Sequence, residues 1–359
     1  MIARPAIVQQ PDLFIPFIAD LPLRDQREVM ERPFFSLAKR KRLTPIEYVS
    51  PDGSAFVNVL PHHDFGMATI WDADLLIWAS STLNAMRKKG ANDLPRTLHF
   101  QAYDLLKTIG RGTGGRDYQL MREGLDRLQA TVVKTNIRVK KGKKERTFHW
   151  IEGWTDVIDQ ETAQSKGMSM TLSDWFFEGI LMDGALLSID PVYFSITGGR
   201  ERWLYRVARK HAGGAGEGGF AIPFPTMFEK SGAEGDYRRF KFELHRIAQR
   251  NAVPGYDLII EASKGIGEPS LRMIRRADDE MKAPPPPLPK APPARHHLTD
   301  DTIALVRKHF PGWDIYGLKN DFDAWLADGE GRTPDNYQKA FYGFCRQFHE
   351  RQAAGKRTG

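Results

Sequence analysis

A single cysteine, Cys345, in 359 residues excludes an internal disulfide and a cysteine-rich zinc site. Long apolar runs are missing as well: no stretch approaches the roughly 18 consecutive apolar residues of a membrane-spanning helix, and the mean hydropathy is −0.46. The opening residues carry Arg4 but are interrupted by Pro5, Pro11 and Pro16, which argues against a signal peptide. A cytosolic protein with no membrane partner is therefore expected. Catalytic spacings are absent too, with no Gly-x-Ser-x-Gly or zincin pattern. In His62-His63-Asp64 the adjacent histidines would point to different faces of a strand, and His296-His297 has the same unsuitable spacing. The Gly-rich turn 110–115 lacks the Gly-Lys-Ser/Thr ending of a P-loop. Tyr118 and Tyr237 fall on apolar helix faces, so neither is a nucleophile candidate. The expectation is a protein without catalytic residues, metal ligands or cofactor.

What is present is positive charge in one place. The net charge of +7 is modest, but from Lys134 to Arg146 seven basic residues (Lys134, Arg138, Lys140, Lys141, Lys143, Lys144, Arg146) face one acid, Glu145. Such a block favours a polyanionic partner.

Proline marks the clearest boundary. The prolines in the run from Ala283 to Ala294 lack an amide proton to donate to a helix or sheet, so the run reads as an extended spacer. It divides the chain into an N-terminal arm (1–60), a first reader domain (61–160), a connector (161–195), a second reader domain (196–282), the linker (283–296) and a small helical C-terminal domain (297–359).

Within the arm, Arg24–Glu31 reads as a helix ended by Pro33, and Ile46–Val49 with Ala55–Leu60 as a hairpin around Ser50-Pro51-Asp52-Gly53. Asp72 should cap a helix with Leu75, Leu76, Trp78, Ala79, Leu83 and Met86 inward and Gly90 as its stop. Leu98–Phe100 is extended, Gln101–Ile109 is a second helix with Tyr103, Leu106 and Leu105 as the inward candidates, and Arg116–Gln129 is a third, with Tyr118, Met121, Leu125 and Leu128 on one stripe. Thr131–Val139 and Arg146–Trp154 then read as one long basic hairpin. Three helices followed by such a hairpin is the order of a winged helix-turn-helix domain.

The pattern recurs. Gly115-Arg116-Asp117-Tyr118 with Leu125-Asp126-Arg127-Leu128 is echoed by Gly235-Asp236-Tyr237 with Leu244-His245-Arg246-Ile247, the leucine seven and the arginine nine residues after the tyrosine in both. The second copy predicts helices at Gly199–His211, Pro225–Lys230 and Asp236–Arg250, then a short wing from Tyr256–Ala262 and Leu271–Arg275. Between the copies, Leu172–Met182 reads as a connecting helix and candidate dimer surface, capped by Ser173 or Asp174. The fold class is thus α+β: two tandem winged helices plus a helical tail.

The third helices are the candidate readers, because an α-helix fits the major groove and Arg and Gln match guanine and adenine edges. Candidates in the first copy are Arg116, Gln119, Arg122 and Arg127; in the second they are Arg238, Arg239, Lys241, His245, Arg246 and Gln249. The Lys-rich hairpin suits phosphate contact, as do Arg111 and Thr113 in the Gly-rich turn.

Several segments together resemble the replication initiator protein A family of bacterial plasmids: Arg32-Pro33-Phe34-Phe35-Ser36-Leu37, Pro45-Ile46-Glu47-Tyr48, Ala73-Asp74-Leu75-Leu76-Ile77-Trp78, the first-copy repeat motif, and Trp175–Asp190. The resemblance covers about residues 25–280. It implies a plasmid-encoded initiator with tandem winged helices that binds repeated double-stranded origin DNA and helps a host initiator and the replicative helicase act there. Related initiators also repress their own promoters as dimers. It carries over no catalytic residue. The alternative, a winged-helix repressor with no replication role, accounts less well for two different readers and a tail. In that tail, Pro311–Tyr316 and Ala340–Cys345 resemble helical tails of other bacterial replication proteins. Stripes of Leu318, Phe322, Trp325 and Leu326 and of Phe341, Phe344, Cys345 and Phe348 could bury one another, and a tethered domain could capture a replication partner.

Overall fold

The computed structural model describes residues 21–139, 144–158, 165–263, 267–276, 298–310, 315–327, 334 and 336–355. The chain divides into two compact units, Met1–Met281 and Lys282–Gly359.

The larger unit opens with β1 (Arg24–Gln26) and α1 (Arg27–Glu31), then β2 (Ile46–Val49) and β3 (Phe56–Leu60). The helix expected over Arg24–Glu31 therefore begins late. Its first three residues pair instead with Leu186–Ser188, far along the chain. The first copy of the repeat runs α2 (Ala73–Lys88), β4 (Thr97–Phe100), α3 (Ala102–Thr108) and α4 (Gly115–Ala130), followed by β5 (Val132–Thr135), β6 (Arg146–Phe148), β7 (Ile151–Ile158) and β8 (Ser165–Leu172). Next come α5 (Asp174–Leu181), β9 (Leu186–Ser188) and a 3-10 turn, Pro191–Ser195. The second copy is α6 (Gly199–His211), β10 (Phe220–Pro223), α7 (Phe224–Ser231), α8 (Tyr237–Arg250), β11 (Tyr256–Glu261) and β12 (Ser270–Arg275).

The two copies share a topology that the sequence motif only hinted at. In each, a helix, a strand and two helices lead into a hairpin, and the early strand pairs with the last: the sheet orders are β4-β8-β7 and β10-β12-β11. The first copy's hairpin is consequently β7 paired with β8, and not the Lys-rich pair predicted. β5 and β6 do pair, but they extend β2 and β3 into a separate four-stranded sheet, β2-β3-β5-β6. The chain changes sheets at Trp150. Its side chain is fully buried, its N–H donates to Leu128 O and its carbonyl accepts from Ser173 N, both at 3.2 Å. Pinned between the end of α4 and the start of α5, the backbone cannot continue along β6.

Period-two alternation fixes the register of the four-stranded sheet. Ile46, Val59, Val133 and Phe148 stand opposite one another on the buried face, while Glu47, Asn58, Lys134 and Thr147 share the other. Under the buried face Phe34, Phe35, Phe148, Trp150, Trp175 and Phe176 pack together, with Phe148 stacked on Trp175 at 4.2 Å between centroids. Trp175 and Phe176 belong to α5, so that helix spends its apolar face internally. This corrects its reading as a dimer surface, because only Leu181 and Met182 at its end are exposed hydrophobics. Ser173 is its cap, accepting from Phe176 N.

Helix α2 is central, buried on every side from Ala73 to Asn84. Asp72 does not cap it with its side chain. In α3 Leu105 and Leu106 turn inward and Tyr103 outward, reversing part of the expected face.

The C-terminal unit has its own core. It contains α9 (Asp300–His309), α10 (Ile315–Ala327) and α11 (Tyr337–Gly355), one more helix than the two apolar stripes predicted. Thr299 caps α9 by accepting from Thr302 N. Val306, Phe310, Leu318, Phe322, Phe341 and Cys345 form the core, with Phe344 and Phe348 half-buried against it. The side chain of Trp325 and the linker 283–296 lie outside the described residues. Among the described residues no helix is long and apolar enough to cross a membrane.

Candidate nucleic-acid interface

Helix α8 is built to present a basic face. Asp236 caps it by accepting from Arg239 N at 2.8 Å, and Asn251 ends it in the left-handed conformation, φ 45°. Phe240, Leu244, Ile247 and Ala248 turn into the core. The opposite side exposes Arg238, Arg239, Phe242, Arg246 and Gln249. The turn that aims the helix passes through Gly232 (φ +57°), where an added Cβ would lie 2.6 Å from Pro33 Cβ.

Not all the candidates in this copy are free. Arg239 pairs with Glu243 at 3.1 Å, one turn on. Lys241 donates to Glu268 at 2.6 Å, and Tyr237 Oη donates to the same carboxylate at 2.8 Å. This contact ties the β11–β12 hairpin to α8. It holds Glu268 below the usual carboxylate range through its bond from Lys241, while partial burial and the carboxylate push Tyr237 up. His245 is half-buried, edge-on to Phe224 at 5.2 Å. Arg238, Arg246 and Gln249 have no acidic partner among the described residues.

The first copy differs. Arg127 occupies the repeat position of Arg246, yet it turns inward and makes two bonds to Asp72, at 2.7 and 2.8 Å. The residue preceding α6 in the second copy is Gly198, which has no carboxylate to offer. Arg122 is held by Asp156 on β7, Nε to Oδ2 3.1 Å. Gln119 donates to Glu123 at 2.9 Å, and Arg116 lies 3.8 Å from the same carboxylate. Helix α4 thus carries its own neutralising acids.

The basic block is also largely committed. Arg138 takes a positive φ of 57° and lies flat over Trp175, 3.6 Å from the ring centroid, with Glu28 at 2.8 Å. Burial lowers this guanidinium to about 10. Arg146 grips Glu178 at 2.6 Å, and Lys134 meets Glu145 at 2.9 Å. Arg111 reaches back to buried Asp74 at 3.0 Å. Arg111, Arg127, Arg138 and Arg146 are thus each held by a carboxylate within the fold. Lys144 is exposed and Thr113 half-buried; Lys140, Lys141 and Lys143 lie outside the described residues.

Sequence reasoning passed over Phe242, which is 61% exposed in the middle of the α8 face. The signal was available. Phe240 and Phe242 sit about 200° apart around a helix, so they cannot share a buried face. Among the described residues no group of three or more His, Cys, Asp or Glu could hold a metal ion.

Two copies of one helix-and-sheet unit, the second exposing Arg238 and Arg246 without an acidic partner among the described residues, give the larger unit a candidate nucleic-acid face. Residues 24–258 match the sequence family described as Replication initiator protein A, and the chain belongs to that family. Over 257 residues it is 30% identical to a protein of Wigglesworthia glossinidia brevipalpis named "Putative replication protein", covering 70% of this chain and 90% of that one. The crystal structure of domains 2 and 3 of RctB is similar in fold, with a TM-score of 0.50 at 15% identity, over 70% of this chain and 98% of that one. The role is replication initiation.

Proposed function

We propose that this protein initiates plasmid replication by binding repeated origin DNA as a tandem winged helix-turn-helix protein, acting through binding and recruitment and not through catalysis. Two features support the winged-helix reading: in both copies the order helix–strand–helix–helix leads to a closing hairpin, in the first after β5 and β6 have joined another sheet, and the early strand pairs with the last. In that geometry the helix before the hairpin enters the major groove, which makes α8 the principal base reader. α4 plays a lesser part, since Glu123 offsets its exposed polar groups.

The observation that carries this reading is the free face of α8, where Arg238, Arg246 and Gln249 stand exposed without acidic partners. The C-terminal unit, with a hydrophobic core of its own, is the candidate docking module for a host initiator or helicase. Action in the bacterial cytoplasm, a dimeric form and repression of its own promoter complete the proposal.

The test is footprinting on the DNA flanking its own gene. Replacing Arg238 and Arg246 by Ala should each cost about 1–3 kcal/mol of specific binding and relax the base preference, with the melting curve unchanged because both side chains are exposed. An unaltered footprint would remove α8 from the interface.

A further inference from the structure

Phe242 has no structural task. It is among the most exposed large hydrophobics of the described residues, on a helix whose core face is already filled by Phe240, Leu244 and Ile247. Arg238 and Arg246 flank it one turn away on either side, and the Arg246 guanidinium lies 6.0 Å from its ring centroid. An aromatic ring set between two acid-free arginines matches a surface that is apolar at one point and electronegative beside it.

The major groove offers that combination. Its apolar group is the C5-methyl of thymine, and its paired acceptors are O6 and N7 of guanine, which an arginine can meet bidentately. We propose that Phe242 is a specificity-determining residue that packs on a thymine methyl, while Arg238 and Arg246 contact guanines on either side. Four helical residues rise about 6 Å, close to two base-pair steps of about 3.4 Å. The element read by α8 is therefore a thymine with a guanine about two base pairs away in each direction. This inference rests on α8 as the reader and adds which bases it reads.

The test uses the full chain and its footprinted origin site. Each thymine in turn is replaced by deoxyuridine, which removes only the methyl group. For the unmodified protein, one thymine under α8 should show about a four-fold loss of affinity, the value of one buried methyl. Phe242→Ala should bind the thymine site more weakly and be indifferent to deoxyuridine at that position, and Phe242→Leu should restore part of the difference. A Phe242→Ala protein that discriminates thymine from deoxyuridine as the parent does would overturn the proposal. So would a parent protein that is indifferent at every thymine. If Arg238→Ala and Arg246→Ala still weaken binding in those cases, the reader assignment stands and only the role of Phe242 is lost; if they do not, both are lost.

Discussion

Glu31 draws together more cations than any one-to-one pairing needs. Its carboxylate lies 3.0 Å from Arg32, 2.6 Å from Lys210, 3.2 Å from His211 and 3.7 Å from Lys230, all at low exposure. Burial opposes its charge, but the close contacts of His211 and Lys210 and the fields of Lys210 and Arg32 win, so the carboxyl is held far below its ordinary 4.5. The folded state resists protonation where the unfolded chain accepts it. The stability Glu31 gives is complete above the unfolded value of 4.5 and drains away as pH falls below it. Glu31→Gln should cost about 2 kcal/mol at pH 7, less than a fully buried pair because the cluster is partly solvated. Urea denaturation of both proteins should show that gap closing from about pH 4.5 downward; a gap constant to pH 3 would contradict the assignment.

Among the elements, α2, α4, α6 and α8 were legible because a 3.6-residue period survives in their apolar positions. The period names which residues share a face, not what the face meets. Arg127 and Arg246 illustrate this, since one register led one inward and the other outward. What decided it was an aspartate 55 positions away from Arg127. The sheet change at Trp150 was illegible for a similar reason, because β4 and β8 meet across some 70 residues and only their pairing shows that β7 has left its neighbour. Another long-range tie, Glu268 on Lys241 and Tyr237, sets how the second hairpin rides on α8. Glu268→Gln should release the Lys241 ammonium to the DNA backbone. The slope of log K against log salt would then steepen by about 0.9, one phosphate contact, and an unchanged slope would place Lys241 away from the duplex.

For the larger unit as a whole, the two copies are joined by buried charge. Arg202 on α6 donates to Asp74 on α2 at 2.7 Å, and Arg206 donates to Asp25 of β1 at 2.7 Å. Arg202 and Asp74 are 4% and 1% exposed, so removing one strands the other in a medium that cannot solvate it. Arg202→Ala should lower the larger unit's stability by about 3–5 kcal/mol, and calorimetry should show that unit's unfolding shift downward relative to the parent as the copies lose their common anchor. An unchanged midpoint for that unit would refute the anchoring role.

That anchor has a consequence for how such a protein can change over generations. On the proposed function, base preference would reside in exposed side chains such as Arg238 and Gln249, which can be exchanged one at a time with little harm to the fold. The join between the copies rests on the buried Arg202–Asp74 pair, where a lone exchange is penalised and only joint ones are tolerated. On the proposed function, related initiators can therefore diverge readily in the bases they read, while the join between their two copies stays inherited.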